Sequence, residues 1–293
     1  MLKNLLLLIR PHQWIKNLFI FMPVFFGGAL TDSAAVTDSI VAFFAYSFAA
    51  SAIYCLNDIV DVEDDRRHTV KCRRPIASGA VSVAAGVMLM ALMLTLSAAT
   101  AVTLASRWQT LLGVIGVYLV IDIAYCLMLK RFAVVDVAVL AAGFVLRIMA
   151  GSAATGILAS HWLVLMTFLL TLLMGLAKRR DDVARFAATG IPPRHNTKRY
   201  NMAFISQAIT VTAAVTLVCY IMYTLSPEVI AHTGCQYLYL TTVFVILGIL
   251  RYMQLTSVDG KSGDPTHLLY HDRFLQTDIV LWLLTFLCII YVK

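Results

Sequence analysis

The sequence predicts an all-α protein that crosses a membrane many times. Of its 293 residues, 60% are hydrophobic and only 13% are charged, whereas an ordinary soluble domain has about 25% charged residues. Apolar runs of about 20 residues recur along the chain, and a helix of that length crosses a hydrocarbon core of about 30 Å. The runs are apolar on every side and show no sustained two-residue alternation, which argues against a membrane β-barrel.

Charged clusters and turn residues divide the apolar sequence into nine predicted transmembrane helices. Their ranges are 17–31, 39–60, 82–103, 109–129, 134–153, 160–176, 203–225, 236–252 and 277–292. The predicted fold class is therefore a polytopic helical bundle with nine spans.

Lysine and arginine collect in alternate connecting segments. If the amino terminus is cytoplasmic, the segments 1–16, 61–81, 130–133, 177–202 and 251–276 lie inside and hold 20 of the 23 basic residues. Cytoplasmic loops of membrane proteins carry an excess of lysine and arginine, so this bias predicts a cytoplasmic amino terminus. The predicted location is the cell membrane (the inner or plasma membrane). The net charge of +7 then reflects topology, and nucleic-acid binding is the wrong inference from it.

An acidic segment follows the second predicted span. On a helix that turns about 100° per residue, Asp58, Asp61 and Asp65 lie within roughly 60° of one another. Asn57 shares their face, whereas Glu63 lies about 140° from the nearest of them. Like charges on one face at a membrane boundary need compensation, and oxygen ligands select a hard cation such as Mg²⁺. The segment therefore predicts a magnesium site formed by the three aspartates, with Asn57 beside it.

Basic residues follow the acidic segment directly. Arg73 and Arg74 are predicted to bind a diphosphate, because arginine offers forked donors to phosphate oxygens. The alternative is a solvated acidic loop that these cations merely neutralise. The position of Asn57 and Asp58 at the end of a long apolar run favours the functional interpretation, because polar groups are costly there.

The acidic segment resembles a known family signature. Asn57, Asp58, Asp61 and Asp65 match the NDxxDxxxD pattern of UbiA-type intramembrane transferases, and Arg-Pro-Ile-Ala-Ser-Gly at 74–79 matches as well. The resemblance implies one transmembrane domain over 1–293, with nine helices around a cytoplasm-facing polar cavity. It also implies that the three aspartates are catalytic, since in this family two Asp-rich motifs hold Mg²⁺ and a diphosphate substrate.

Further motifs narrow the resemblance to the decaprenyl-phosphate phosphoribosyltransferase branch. They are RPHQWIKN at 10–17, AYCLMLK at 124–130, AKRRDD at 177–182, ILRY at 249–252, GDP at 263–265 and HDR at 271–273. This branch implies phosphoribosyl diphosphate as the donor and a polyprenyl phosphate lipid as the acceptor. The branch tends to show KRxxE in its second motif, and this chain departs from it with Asp182, which leaves the second ligand set undefined.

Six more polar residues are candidates for the site. Lys16 precedes the first span, Tyr125 and Lys130 end the fourth, and the second motif supplies Lys178, Arg179 and Asp182. Snorkelling, positive-inside anchoring or a surface ion-pair cluster would explain these positions without catalysis. The branch resemblance favours Lys130 as a catalytic residue and the other five as substrate contacts.

Two charges lie deep in predicted spans. Asp122 falls in the fourth span and Arg147 in the fifth. Charges inside a membrane bundle usually pair with one another. We therefore expect an ion pair between them.

The predicted reaction is Mg²⁺-dependent transfer of phosphoribose to a polyprenyl phosphate, and the chain can form a homo-oligomer. One alternative is a prenyltransferase that moves a prenyl chain from prenyl diphosphate to an aromatic acceptor, because it shares the first acidic motif. Another is an ion-coupled transporter. Transport sites usually lie at the membrane midplane between related repeats, whereas these carboxylates collect at one surface and no internal repeat is evident.

Overall fold

The computed structural model describes residues 2–67, 70–190, 192–193, 195–259 and 271–291. Within these ranges the regular structure is helical, with twelve α-helices that we number in chain order: α1 Leu2–Ile9, α2 Met22–Phe26, α3 Ser33–Val60, α4 Val62–Arg67, α5 Val83–Leu104, α6 Trp108–Leu127, α7 Val135–Thr155, α8 His161–Thr189, α9 Met202–Leu225, α10 Pro227–Thr233, α11 Thr242–Ser257 and α12 Arg273–Tyr291. Five 3₁₀ helices lie between them: Pro11–Phe21, Lys71–Arg73, Leu129–Arg131, His195–Arg199 and Leu238–Thr241.

Seven helical segments in the described part of the chain are long and apolar enough to cross a bilayer. They are α3, α5, α6, α7, α8, α9 and the stretch Leu238–Ser257 that contains α11. The expected all-α, multi-pass membrane fold is thereby confirmed. The total of nine spans stays a prediction.

The first predicted span, 17–31, is not one continuous α-helix. The 3₁₀ helix Pro11–Phe21 leads into α2, which has only five residues and carries Pro23 in its first turn. Proline lacks a backbone N–H, so it is tolerated where a helix begins and not in its interior. The ninth predicted span, 277–292, overlaps α12, and its last residue lies outside the described ranges.

The sixth predicted span, 160–176, ends too early. Helix α8 continues for 13 residues beyond it, through the charged second motif. Two ion pairs, each between residues about one helical turn apart, support this extension. Arg179 pairs with Asp182 at 3.1 Å, and Arg185 pairs with Asp181 at 2.8 Å. Such pairs stabilise a helix where the apolar run has ended, so the second motif lies on a helix and not in a loop.

Residues 1–130 and 142–159 form one compact unit, and α3 provides much of its core. Ala45 and Ala49 on this helix are fully buried, and small side chains let neighbouring helices approach closely. Ser97 on α5 donates a hydrogen bond to the Ala45 carbonyl at 2.7 Å. The long contact between α3 and α5 fixes the end of α3 that carries the acidic segment.

Residues 131–141 and 160–293 form the second compact unit. Its core is an apolar cluster in which Leu173 of α8, Ile205 of α9 and Leu255 of α11 are buried. The boundary between the units divides α7 after residue 141. The expected single domain over the whole chain stays a prediction.

Gly151 on α7 marks a close backbone approach, and we expect Gly151→Ala to destabilise the protein. A Cβ at this position would lie 1.9 Å from the Ile20 carbonyl oxygen, so the backbone has to shift, at a cost of about 1 to 3 kcal/mol. That cost outweighs the gain of up to about 1 kcal/mol in helix propensity from glycine to alanine. Thermal unfolding in detergent measures the effect. Gly116→Ala is the control, because a Cβ there meets no atom within 4 Å; equal melting temperatures for both variants would contradict the expectation.

Candidate active site

Two buried carboxylates, one near the end of α3 and one in α4, accept hydrogen bonds from the same arginine. Asp58 is 1% exposed and Asp65 is 2% exposed. Nη1 of Arg74 donates to Oδ2 of Asp65 at 2.6 Å and to Oδ1 of Asp58 at 3.1 Å. Because one nitrogen reaches both carboxylates, their oxygens lie close together in a buried place where an uncompensated negative charge would be very costly.

The helical face expected for the acidic segment is present, although α3 ends at Val60. The Asp61 N–H donates to the Asn57 carbonyl at 2.9 Å, and the Asp65 N–H donates to the Asp61 carbonyl at 2.8 Å. Helical hydrogen bonds thus continue across the junction. Glu63 points the other way, with a side chain that is 69% exposed and paired with Arg66. The alternative of a solvated acidic loop therefore fits Glu63, but it does not fit Asp58 or Asp65, which are buried.

Arg10 also binds this cluster, although sequence reasoning did not assign it a role. Its Nη2 donates to Oδ1 of Asp58 at 2.6 Å, and its guanidinium lies over the ring of Tyr54 at 5.1 Å. Arg10 adopts a left-handed backbone conformation, with φ 51° and ψ 60°, which is uncommon for a residue other than glycine. Such strain persists where surrounding contacts fix it and often marks a functional position.

Hydrogen bonds to two serine hydroxyl groups of α3 hold the segment around Arg10 against this helix. Trp14 Nε1 donates to Ser51 Oγ at 3.0 Å, and Ser51 Oγ donates to the Ile9 carbonyl at 2.9 Å. One turn earlier, Asn17 Nδ2 donates to Ser47 Oγ at 2.8 Å. These bonds hold the backbone of the RPHQWIKN motif on the helix that carries Asp58, which positions the guanidinium of Arg10.

Asp61 has a different partner from the other two aspartates. Nζ of Lys130 donates to Oδ1 of Asp61, and both side chains are partly buried. Asn57 lies nearby and accepts a 3.7 Å contact from Cys126 Sγ through its Oδ1. Lys130 lies in the 3₁₀ helix Leu129–Arg131 that follows α6, so this bond joins the end of α6 to the acidic segment.

The expected three-aspartate metal site is not assembled among the described residues. No group of three or more acidic, histidine or cysteine side chains is arranged to hold a metal there, because Asp61 is bonded to Lys130 while Asp58 and Asp65 share Arg74. The donor set nevertheless fits a hard cation. Asp58 Oδ2 is buried without a hydrogen-bond partner, and carboxylate oxygens are the ligands that Mg²⁺ prefers. The ligand set stays a prediction.

The second motif forms a buried polar network within the second unit. Arg179 Nε donates to Asp136 Oδ2 at 2.7 Å, and its Nη1 donates to Asp182 Oδ2 at 3.1 Å. The Tyr200 hydroxyl donates to Asp136 Oδ1 at 3.0 Å and accepts the Val134 N–H at 2.6 Å. Burial raises the pKa of Tyr200 to about 12, so its phenol stays protonated and keeps donating at neutral pH.

The remaining predicted site residues have mixed environments. Arg73 is exposed at the end of the 3₁₀ helix Lys71–Arg73, whereas Lys16, Tyr125 and Lys178 are half-buried. Their roles toward a substrate stay predictions. The GDP triplet at 263–265 lies outside the described residues, and in the HDR triplet Asp272 pairs with Arg251 at 2.6 Å.

Asp122 and Arg147 form no direct ion pair in the described part of the chain, contrary to expectation, although their charges still interact through space. Arg147 Nε donates to Asn17 Oδ1 at 2.8 Å, and its Nη1 donates to the Gly143 carbonyl at 2.6 Å. The guanidinium also lies 5.1 to 5.7 Å from the ring centroids of three aromatic side chains, Tyr46, Tyr118 and Phe144. An amide, a carbonyl and aromatic faces thus satisfy this buried cation in place of a carboxylate.

Buried or partly buried carboxylates bound by arginine and lysine thus lie at the ends of helices long and apolar enough to cross a membrane, which defines a polytopic membrane protein with a polar, charge-paired site. The chain belongs to the UbiA prenyltransferase family, whose model matches residues 20–277. The family expected from the acidic motif is therefore confirmed.

The chain is similar along nearly its whole length to proteins of the expected branch. It is 32% identical to the decaprenyl-phosphate phosphoribosyltransferase of Mycolicibacterium smegmatis, over 99% of this chain and 93% of that one. It is 30% identical to the protein of that name from Corynebacterium glutamicum, over 97% of this chain and 86% of that one. A UbiA homolog from Archaeoglobus fulgidus, solved with GPP and Mg²⁺ bound, has the same fold, with a TM-score of 0.71, 19% identity and coverage of 98% of this chain and 99% of that one.

Proposed function

We propose that this protein transfers 5-phosphoribose from phosphoribosyl diphosphate to a polyprenyl phosphate lipid and releases diphosphate. The observation that carries the proposal is the continuous similarity to proteins named decaprenyl-phosphate phosphoribosyltransferase, at about a third identity over almost the entire chain. The first unit supports it, because it brings two buried carboxylates and two arginines together.

Asp58 and Asp65 are the residues that would hold Mg²⁺, with Asp61 as the third ligand if Lys130 releases it. The metal, when bound, neutralises charge on the leaving diphosphate. The buried Oδ2 of Asp58, which accepts no hydrogen bond from a described residue, supports this assignment, as does the Mg²⁺ in the A. fulgidus homolog, which has the same fold.

The cations around the aspartates have two tasks in this proposal. Arg10 and Arg74 offset the charge of the buried carboxylates and hold them at one place. Donor binding gives these guanidinium groups phosphate oxygens as additional acceptors, and arginine binds phosphate in a forked geometry. Lys130 adds a positive charge beside Asp61, where it stabilises charge that develops on the leaving group.

The transfer step needs no general base from the chain. The C1–O bond to the diphosphate breaks, and its electron pair leaves with that group. A phosphate oxygen of the acceptor forms the new C1–O bond. Because a phosphate monoester is already anionic, it attacks without losing a proton to a side chain. The isoprenoid tail of the acceptor remains among the apolar helices, which is why a sugar phosphate transfer is carried out by a membrane protein.

The finer topology belongs to the same proposal. Nine spans surround a polar cavity that opens to the cytoplasm, with the chain in the cell membrane. The concentration of 20 of the 23 basic residues in alternate loops supports this orientation. The contacts expected of Lys16, Arg73, Tyr125, Lys178, Arg179 and Asp182 with substrate, and assembly into a homo-oligomer, remain parts of the proposal that rest on the branch resemblance.

The test is an acceptor-dependence assay with purified protein and phosphoribosyl diphosphate. We expect a lipid product that carries one phosphoribose when polyprenyl phosphate and Mg²⁺ are supplied. Polyprenol is the matched control, because it has the same tail without the anionic nucleophile, and we expect no product from it. Product from polyprenol, or none from polyprenyl phosphate in folded protein, would contradict the proposed reaction.

A further inference from the structure

A groove of about 460 Å³ lies between α6 and the later part of α7, both within the first unit. Its walls are mainly apolar and include Val117 from α6 and Leu146 and Met149 from α7. Val117 and Met149 are exposed. The groove therefore opens outward on a surface of membrane helices, where bilayer lipid is the surrounding medium.

Arg107 gives this groove a cationic end. It is exposed, and its side chain forms no hydrogen bond or ion pair with another described residue. Two other polar groups of the lining are already satisfied, since Thr110 donates to the Ala153 carbonyl at 3.0 Å and Ser152 donates to the Ile157 carbonyl at 2.7 Å. The guanidinium of Arg107 is thus the polar group of the groove that has donors to offer to a ligand.

Gly156 and Gly113 shape the space around this cation. Gly156 follows α7 with φ +76°, and a Cβ there would lie 2.8 Å from Arg107 Nη1. The absence of a side chain lets the guanidinium lie against the backbone. At Gly113, in the middle of the α6 wall, a Cβ would meet no atom within 4 Å, so this wall of the groove is open.

The groove has the length of one bilayer leaflet. Its α6 wall runs from Arg107 to Val117, which is about 15 Å at 1.5 Å per residue. Half of a hydrocarbon core of about 30 Å is also about 15 Å. An acyl chain of a lipid in that leaflet therefore matches the apolar wall when its phosphate lies at Arg107.

We propose that this groove binds an anionic phospholipid of the surrounding bilayer, with its phosphate on Arg107 and an acyl chain along the α6 wall. The site is separate from the acidic cluster, because Lys130, which binds Asp61, follows the opposite end of α6. The 20 residues of α6 place the two ends about 30 Å apart. The acceptor phosphate of the proposed reaction cannot reach both.

Native mass spectrometry of the purified full-length protein in detergent tests the proposal, with phosphatidylglycerol and phosphatidylcholine of equal chain length as probes. We expect wild type to retain phosphatidylglycerol in preference. Arg107→Gln should weaken this binding about tenfold, the size of one charge-assisted hydrogen bond. Lys3→Gln is the charge-matched control, since Lys3 is also exposed. Gly113→Leu should weaken binding by filling the groove, while Gly116→Leu, on α6 but not in the lining, should not.

Four outcomes would overturn the site. Equal retention of the two lipids by wild type would remove the anionic preference. Unchanged phosphatidylglycerol binding in both Arg107→Gln and Gly113→Leu would place the lipid elsewhere. Complete displacement of bound phosphatidylglycerol by inorganic phosphate would show a free-anion site. Its complete displacement by an equal concentration of polyprenyl phosphate would assign the groove to the acceptor.

Discussion

Replacement of Asp58 or Asp65 by alanine is expected to lower the transfer rate at least about a hundredfold, while Glu63→Ala retains near wild-type activity. Removal of one preorganised electrostatic partner from a buried site typically costs on that order. Asp58 and Asp65 are buried and share Arg74, whereas Glu63 is exposed and pairs only with Arg66 in the described residues. Asp61→Ala is expected to follow the buried pair, because it removes the carboxylate that accepts from Lys130 at the site.

The measurement is the rate of phosphoribosyl transfer by each variant across a range of Mg²⁺ concentrations. Asp58→Asn separates charge from shape, since it keeps the volume of the side chain and removes the negative charge. We expect Asp58→Asn to be as inactive as Asp58→Ala while the protein still folds, and a cooperative melting transition checks that it is folded. A loss at Glu63→Ala equal to that at Asp58→Ala would show that the helical-face argument is wrong.

The largest expected effect on stability is at Asp136. Asp136→Ala removes a carboxylate that binds both the fully buried Arg179 and the Tyr200 hydroxyl. Removal of one partner from a buried ion pair costs about 3 to 5 kcal/mol, because the other charge remains in a medium of low polarity. Asp182 still accepts from Arg179 at 3.1 Å, which places the expected loss near the lower end, at about 3 kcal/mol.

Asp181→Ala is the matched control for this prediction. Asp181 pairs with Arg185 on the same helix at 2.8 Å, but the arginine side chain is mostly exposed, and exposed pairs contribute about 0 to 1 kcal/mol. Chemical unfolding in detergent micelles compares the two variants. Equal losses of unfolding free energy would mean that the network around Arg179 does not stabilise the second unit.

The sequence predicts most of the membrane helices because apolar length is a local property. The predicted spans 82–103 and 203–225 differ by one residue from α5 and α9 at their amino-terminal ends. Hydropathy does not predict the end of α8, because hydropathy falls at Lys178 while the helix continues to Thr189. Ion pairs between charged side chains stabilise this last part of the helix. The 3₁₀ geometry of Pro11–Phe21 carries no hydropathy signal at all.

The sequence predicts which residues form the candidate site better than it predicts which of them bond to one another. Spacing alone separates Asp58 and Asp65 from Glu63, because helical periodicity is local. The bond from Arg10 to Asp58 joins residues 48 positions apart, and only tertiary folding brings them together. The RPHQWIKN motif was the available signal for Arg10. Arg147 shows the opposite failure, because Asn17 and aromatic rings satisfy it where charge counting suggested Asp122.

The central claim is the identity of the donor, and a competition assay tests it most directly. Purified protein receives phosphoribosyl diphosphate and a prenyl diphosphate together, with polyprenyl phosphate and an aromatic acid as acceptors and Mg²⁺ present. Product masses identify which group moved to which acceptor. We predict phosphoribosylated lipid as the product, with no prenylated aromatic acid. Prenylated aromatic acid without phosphoribosylated lipid would contradict the account and leave only membership of the wider family.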